Sequence, residues 1–176
     1  MIKIDKKELL IGLIGDTHIP SRGSEIPEII INDFKEKKID YLFHLGDFTK
    51  PEVYRKLQET FGEDNVIGII GNMDGHKLRN ILPETKEFNL FGHKIFMTHG
   101  MGGPHNIIEK LSKNYDLSNY DIVIFGHAHR PFNERGKDGK LYISPGTPTD
   151  TVFTDVNSYG YLTISKEKVE PKIIYL

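Results

Sequence analysis

The 176-residue chain contains no cysteine, which removes disulfides, thiol nucleophiles and thiolate metal ligands together. Any metal site must then be built from oxygen and imidazole nitrogen, a donor set suited to Mn, Fe, Zn, Ni or Mg. No apolar segment approaches the ~20 residues needed to span a bilayer. The short apolar stretch near the N-terminus lacks the flanks and cleavage site of a signal peptide, so a cytoplasmic protein with no membrane partner is expected. Charge of one sign is lacking too: 23 basic and 25 acidic residues give a formal net charge of −2. With no basic run there is no electrostatic footprint for nucleic acid. Repeats, linkers and low-complexity segments are absent, and the length fits a single domain over residues 1–176.

What is present is a regular alternation. Residues 9–16, LLIGLIGD, form a short apolar run ending in Gly-Asp, the profile of a strand buried on both faces. A helix is predicted from Pro27, a second strand over 40–47 (DYLFHLGD), a helix over 51–62 and a third strand over 65–74 (NVIGIIGNMD). This β-α-β-α-β pattern puts a polar cluster after each strand, at the sheet edge where open α/β proteins bind ligands. The second half differs: a hairpin turning at Phe91-Gly92, a helix before Tyr115, a strand ending in GHAH, and a tail of turn-separated strands with no cluster that looks catalytic. A mixed sheet system follows.

Five strand ends carry polar groups that would be costly to bury alone. They are Asp16 and His18 in GDTH, Asp47 in GD, Asn72 in GNMD, His99 in THG, and His127 and His129 in GHAHRP. In a strand the last two would point to one side, ~7 Å apart. Each group has a glycine beside it, which allows a sharp turn and a close backbone approach. Seven oxygen or imidazole donors exceed the needs of one ion and suggest two sharing a ligand; a carboxylate can bridge, a ring nitrogen cannot.

The order GDTH, GD, GN-x-D, THG, GHAH, with SPGT further on, resembles the calcineurin-like metallophosphoesterases over residues 9 to about 147, in particular their small cap-less bacterial and archaeal phosphodiesterase branch. The resemblance implies an α/β four-layer α/β/β/α sandwich of two mixed sheets flanked by helices. It implies one ion on Asp16, His18 and His129, a second on Asn72, His99 and His127, and Asp47 between them, with Asp47, Asn72 and His99 as the catalytic group. Two divalent ions are expected, Mn²⁺ first, with Ni²⁺, Fe²⁺, Zn²⁺ or Mg²⁺ as alternatives. A hydroxide held by the ions would attack phosphorus in line, in a small phosphodiester or phosphomonoester, and a homodimer is the assembly expected. The rival within the fold is a protein-binding scaffold like the retromer subunit, which has lost part of the ligand set. The double-strand-break repair nuclease shares the motifs but adds a DNA-binding cap and a far longer chain.

Two positions depart from the family. Met73 and Met101 stand where relatives often carry histidine, and Met73 cannot transfer a proton to a leaving group. His76 is the nearest replacement acid, with an exposed loop residue as the plainer reading. Asp74 is expected either to orient Asn72 or a ligand histidine, or to cap the next helix. Arg22 is read as a solvated loop arginine with phosphate contact as the alternative, and the loop GMGGP (100–104) as a connector or an anion cradle. That loop has no Lys-Ser or Lys-Thr, so it is not a nucleotide P-loop. His44 reads as a core histidine, His93 and His105 as structural or solvated.

Overall fold

The computed structural model describes residues 2, 4–102 and 105–176. Two five-stranded mixed sheets form its centre. The first joins β1 (Glu8–Ile14), β2 (Tyr41–His44) and β3 (Val66–Gly68) in parallel. Strands β9 (Ser158–Ser165) and β10 (Val169–Tyr175) extend it antiparallel beside β1. The second joins β5 (His93–Thr98), β6 (Ile122–Phe125) and β8 (Leu141–Pro145) in parallel. Its edges are the antiparallel β4 (Thr85–Leu90) and β7 (Pro131–Arg135).

Burial on both faces explains the near-continuous apolar strands. Alternate residues of β1, Leu9, Ile11 and Leu13, enter an inter-sheet core with Phe43, Ile95, Met97, Ile122, Ile124 and Ile143. The opposite face of the first sheet packs against α1 (Glu28–Lys37), α2 (Pro51–Phe61) and α3 (His76–Arg79) through Ile30, Phe34, Val53, Leu57 and Leu78. The outer face of the second sheet is covered by α4 (Ile107–Asn114), where Ile107 and Leu111 meet Phe96, Val123 and Phe125. The layers therefore run α/β/β/α, as the resemblance implies. Among the described residues no helix is long and apolar enough to cross a membrane.

Local chemistry sets the boundaries. Proline opens α2 at its first turn, where the missing N–H has no intrahelical partner to lose. The hairpin β4–β5 turns at Phe91 and Gly92, both at positive φ (54° and 95°), as a tight two-residue turn needs. Register then levels the strand ends: Ile14 pairs with His44, His44 with Gly68, and Thr98 with Phe125. Six parallel strands, three in each sheet, thus release their loops side by side.

A half-buried polar cluster lies away from that edge. Tyr159 and Tyr161 on β9 both donate their hydroxyls to Asp33 Oδ2 of α1, the first at 2.5 Å, and Lys37 reaches Oδ1 at 2.5 Å. Burial pushes the Asp33 carboxyl up, but the hydrogen bonds from Lys37 and both tyrosines outweigh it and hold its pKa below the usual value. A depressed folded pKa adds stability above the unfolded value, ~4, that is lost as pH falls through the folded value. Asp33→Ala is expected to cost about 1–3 kcal/mol in urea unfolding at pH 7, and the gap from wild type to narrow as pH drops below ~4.

Candidate metal centre

Each loop that leaves a parallel strand brings a polar side chain to one spot. After β1 come Asp16 and His18, after β2 Asp47, after β3 Asn72 and Asp74, after β5 His99, and after β6 His127 and His129. The strand ladder continues into these loops, with Asp16 N–H donating to Gly46 O (3.0 Å), His18 N–H to Asp47 O (2.8 Å) and Gly126 N–H to His99 O (3.1 Å). Asp16, His18, Asp47, His99 and His129 are buried, His127 is half-buried and Asn72 is exposed.

The backbone here is held in sparsely populated conformations. Asp16, His18, Asp47, His127 and His129 all have φ between 44° and 66°, a region few side chains other than glycine occupy. This corrects the expectation that His127 and His129 project from one face of a strand. β6 ends at Phe125, and the two histidines follow in a left-handed turn. The glycines permit close approach: a Cβ at Gly71 would lie 2.1 Å from Asp47 Oδ1, and one at Gly126 would lie 2.8 Å from Leu45 O.

Ring orientation is fixed from outside. His99 Nδ1 donates to Leu45 O at 2.6 Å, His127 Nε2 to Gly102 O, and His129 Nδ1 to the carboxylate of Asp150. With these nitrogens committed, each ring in its neutral form turns a lone pair inward. His99 Nε2 lies 3.1 Å from Asn72 Oδ1 and 3.4 Å from Asp47 Oδ2. His127 Nδ1 lies 3.0 Å from Asn72 Oδ1. His129 Nε2 lies 3.2 Å from His18 Nε2 and 3.6 Å from Asp16 Oδ1, and His18 Nε2 is 3.4 Å from Asp47 Oδ2. The centre is therefore rich in acceptors and short of protons, the condition a cation satisfies. Donors ~2.0–2.2 Å from one ion sit roughly 3–3.5 Å apart, the spacing found here. Ligand atoms of Asp16, His18 and His129, and of Asp16, Asp47 and His99, each lie within 4.8 Å of one another. These residues fit divalent ions.

Electrostatics agree. Burial drives the Asp16 carboxyl up to about 6 against the pull of His99 and His129. Burial favours a neutral His99, but the hydrogen bond to Asp47 and the charge of Asp16 override it and raise its pKa to about 9. One proton on His99 satisfies one contact and leaves the Asn72–His127 pair facing each other. Asp47 stays below the usual carboxylate range despite its burial, through His99 and the Met73 N–H, which donates to Oδ1 at 2.7 Å. Burial lowers His18 and His127.

Asp74 neither caps α3, whose N-cap is Gly75, nor reaches the Asn72 side chain. It accepts N–H groups from Asp47 (2.9 Å), Thr49 (2.7 Å) and Gly71 (2.8 Å), so it ties the loops after β2 and β3 together. The tail expected to carry no functional cluster contributes three buried residues after β8. Thr147 Oγ1 donates to Asp16 O (2.7 Å), Thr149 Oγ1 to Thr17 O (2.7 Å), and Asp150 holds His129. The signal was present in SPGTPTD, a strand followed by glycine and polar residues as in the other motifs.

The remaining expectations divide. Arg22 is not simply solvated: its Nε lies 3.8 Å from Asp150 Oδ1 and its guanidinium covers the Phe153 ring at 4.9 Å. His44 is buried and stacked on Phe48 at 3.5 Å; Nε2 meets Thr17 Oγ1 at 3.2 Å, and Nδ1 has no partner among the described residues. His76 and His105 are exposed, and His93 Nε2 contacts Ser165 O at 3.1 Å. Gly103 and Pro104 of the expected anion cradle lie outside the described residues.

Comparison with known proteins is consistent with this geometry. Residues 9–167 match a family model described as a calcineurin-like phosphoesterase superfamily domain. The chain is 35% identical over 166 residues to a probable metallophosphoesterase of Methanothermobacter thermautotrophicus, covering 94% of this chain and 92% of that protein. It is 31% identical over 172 residues to a phosphodiesterase of Methanocaldococcus jannaschii, covering 90% and 95%. Vacuolar protein sorting-associated protein 29 of Schizosaccharomyces pombe is 28% identical over 142 residues, covering 80% and 73%.

Asp150 supplies a testable element. A carboxylate behind a ligating histidine is worth 10–100-fold in metal affinity. Asp150→Ala is expected to weaken Mn²⁺ binding by about that factor in calorimetric titration, with a smaller loss in Asp150→Asn, which keeps an acceptor.

Proposed function

Because the chain belongs to the calcineurin-like phosphoesterase superfamily, we propose that it is a phosphodiesterase acting on small phosphate esters at a centre of two divalent ions. The observation that carries this reading is the inward-facing set of carboxylate, amide and imidazole acceptors at the ends of parallel strands from two sheets. In it, Asp16, His18 and His129 hold one ion and Asn72, His99 and His127 the other. Asp47 Oδ2, 3.4 Å from both His18 Nε2 and His99 Nε2, lies between them. Two such ions, Mn²⁺ by expectation, supply Lewis-acid activation of a water and neutralise charge on the phosphoryl oxygens.

The chain's own groups do the positioning. Met73 N–H and the Asp74 carboxylate fix Asp47, while Thr147, Thr149 and Asp150 fix the Asp16–His18 loop and His129. The Met73 side chain is 59% exposed and offers no proton. A leaving group must depart without help from that position, which suits phenolates better than alkoxides. The kinship to vacuolar protein sorting-associated protein 29 supports a scaffold as the second reading; the filled ligand set favours hydrolysis. Action in the cytoplasm and a homodimeric assembly complete the proposal.

Chelator-stripped protein is expected to hydrolyse bis-p-nitrophenyl phosphate only after Mn²⁺ is added, and Asp47→Asn to lower kcat/KM by ~100-fold or more. Folded protein that turns over no diester with any of the five metals would leave the scaffold reading. Met73→His is expected to raise turnover of diesters with alkoxide leaving groups by up to ~10²-fold while changing the nitrophenyl ester little.

A further inference from the structure

Exposed apolar residues accompany the centre. Met73 (59% exposed), Met101 (42%), Val152 (63%) and Phe153 (61%) stand on the loops after β3, β5 and β8 that also carry site residues. Singly, such residues on a surface need no explanation. Here they share their loops with the site residues, and one of them is locked in place. The Phe153 ring meets the His129 ring edge to face, 5.4 Å between centroids at 89°. The Arg22 guanidinium lies 4.9 Å from the Phe153 centroid. Arg22 is itself tethered, its Nε 3.8 Å from Asp150 Oδ1 and its backbone N–H donating to His18 O at 2.9 Å. Asp150 completes the circuit by accepting from His129 Nδ1 and from the N–H groups of Val152 (2.7 Å) and Phe153 (3.4 Å).

One connected set of contacts through Asp150 therefore fixes a largely exposed aromatic residue directly against a proposed metal ligand, with a cation beside it. A buried structural phenylalanine would not be 61% exposed, and an incidental surface one would not be ordered by a cation, an imidazole and two backbone hydrogen bonds. With the Arg22 guanidinium over one face of Phe153 and the residue still 61% exposed, the ring surface left uncovered suits a planar ring whose attached phosphate is anionic: the ring packs on Phe153 while the guanidinium, rigid and carrying several donors, attracts the phosphate. An aliphatic ester would gain only the charge.

The geometry points to Phe153 and Arg22 as a recognition platform for phosphate esters that bear a planar aromatic group, nucleosides being the biological class. This rests on the phosphoesterase reading and narrows its substrate.

The test uses phenylphosphonate and methylphosphonate, which carry the same anionic group on a C–P bond that is not hydrolysed and differ by the aromatic ring. Calorimetric titration of the Mn²⁺-loaded protein is expected to show phenylphosphonate binding about 10-fold tighter, within the range of a stacking contact. Phe153→Ala, and Phe153→Leu, which keeps apolar bulk without a π face, are expected to bring the ratio of the two affinities toward 1. Arg22→Ala is expected to weaken both phosphonates several-fold. Equal binding of the two by wild type, or a ratio unchanged in both Phe153 variants, overturns the inference. If either occurs while bis-p-nitrophenyl phosphate is still hydrolysed, the phosphodiesterase reading stands alone. An aromatic preference that depends on Phe153, in a protein that hydrolyses no diester, keeps the platform and removes the catalysis.

Discussion

Acceptors converge at the strand ends with too few protons to pair them, and much of the surrounding structure answers that constraint. Two buried carboxylates, four inward-facing ring nitrogens and an amide oxygen meet within a few ångströms. Left to themselves such groups repel, and burial of the two carboxylates costs several kcal/mol each. The fold holds them there by spending backbone strain: five of the donors sit at left-handed φ, a conformation worth avoiding by about 1–3 kcal/mol per residue. Strain of that size persists only where neighbouring contacts dictate it. The hydrogen bonds from Thr147 and Thr149, the three N–H groups gathered by Asp74, and the Asp150–His129 contact are those neighbours.

Much of this was legible in the chain because the same physical signal recurs. A buried strand announces itself as an apolar run, and a glycine before Asp, Asn or His marks where the backbone must turn and still admit another chain closely. Those two features located the strands around Leu13, Phe43 and Ile124 and the polar residues beyond them. They did not reveal how the polar residues are presented. His127 and His129 look like alternating strand positions, yet alternation belongs to the extended backbone, and the ladder has already ended at Phe125. Asp150 escaped because it follows Thr147 and Thr149 in a tail whose strands resemble any structural β-tail; only contact with His129, twenty-one positions earlier, gives it a role. Strand β7 was missed for the opposite reason, since an exposed edge carrying Asn133, Glu134 and Arg135 has no apolar pattern to read.

Asp74 illustrates why a sequence motif underdetermines its mechanism. Position alone made it a helix cap or a partner for Asn72. In the fold its two oxygens serve three backbone N–H groups from two loops, and Arg79 reinforces the same turn by donating to Gly71 O and Asp74 O. Burial pushes the Asp74 carboxyl up against the pull of these N–H groups. The residue therefore acts on Asp47 through the backbone, a connection that no spacing rule encodes.

The distribution of donors between the sheets ties function to folding. Asp16, His18, Asp47 and Asn72 leave the first sheet; His99, His127, His129 and Asp150 leave the second. Every acceptor pair that calls for a cation, apart from the His18–Asp47 contact, spans that boundary, and so does each proposed ion. The spacing of the set is therefore decided by how the sheets pack, through the apolar layer in which Leu13, Phe43, Met97 and Ile124 meet. The converse also follows. A cation bound to both sheets contributes to their docking by linkage, since it favours only the arrangement in which the donors are already close. The inter-sheet core holds the donors together, and a cation bound among them offsets the repulsion that core must otherwise resist.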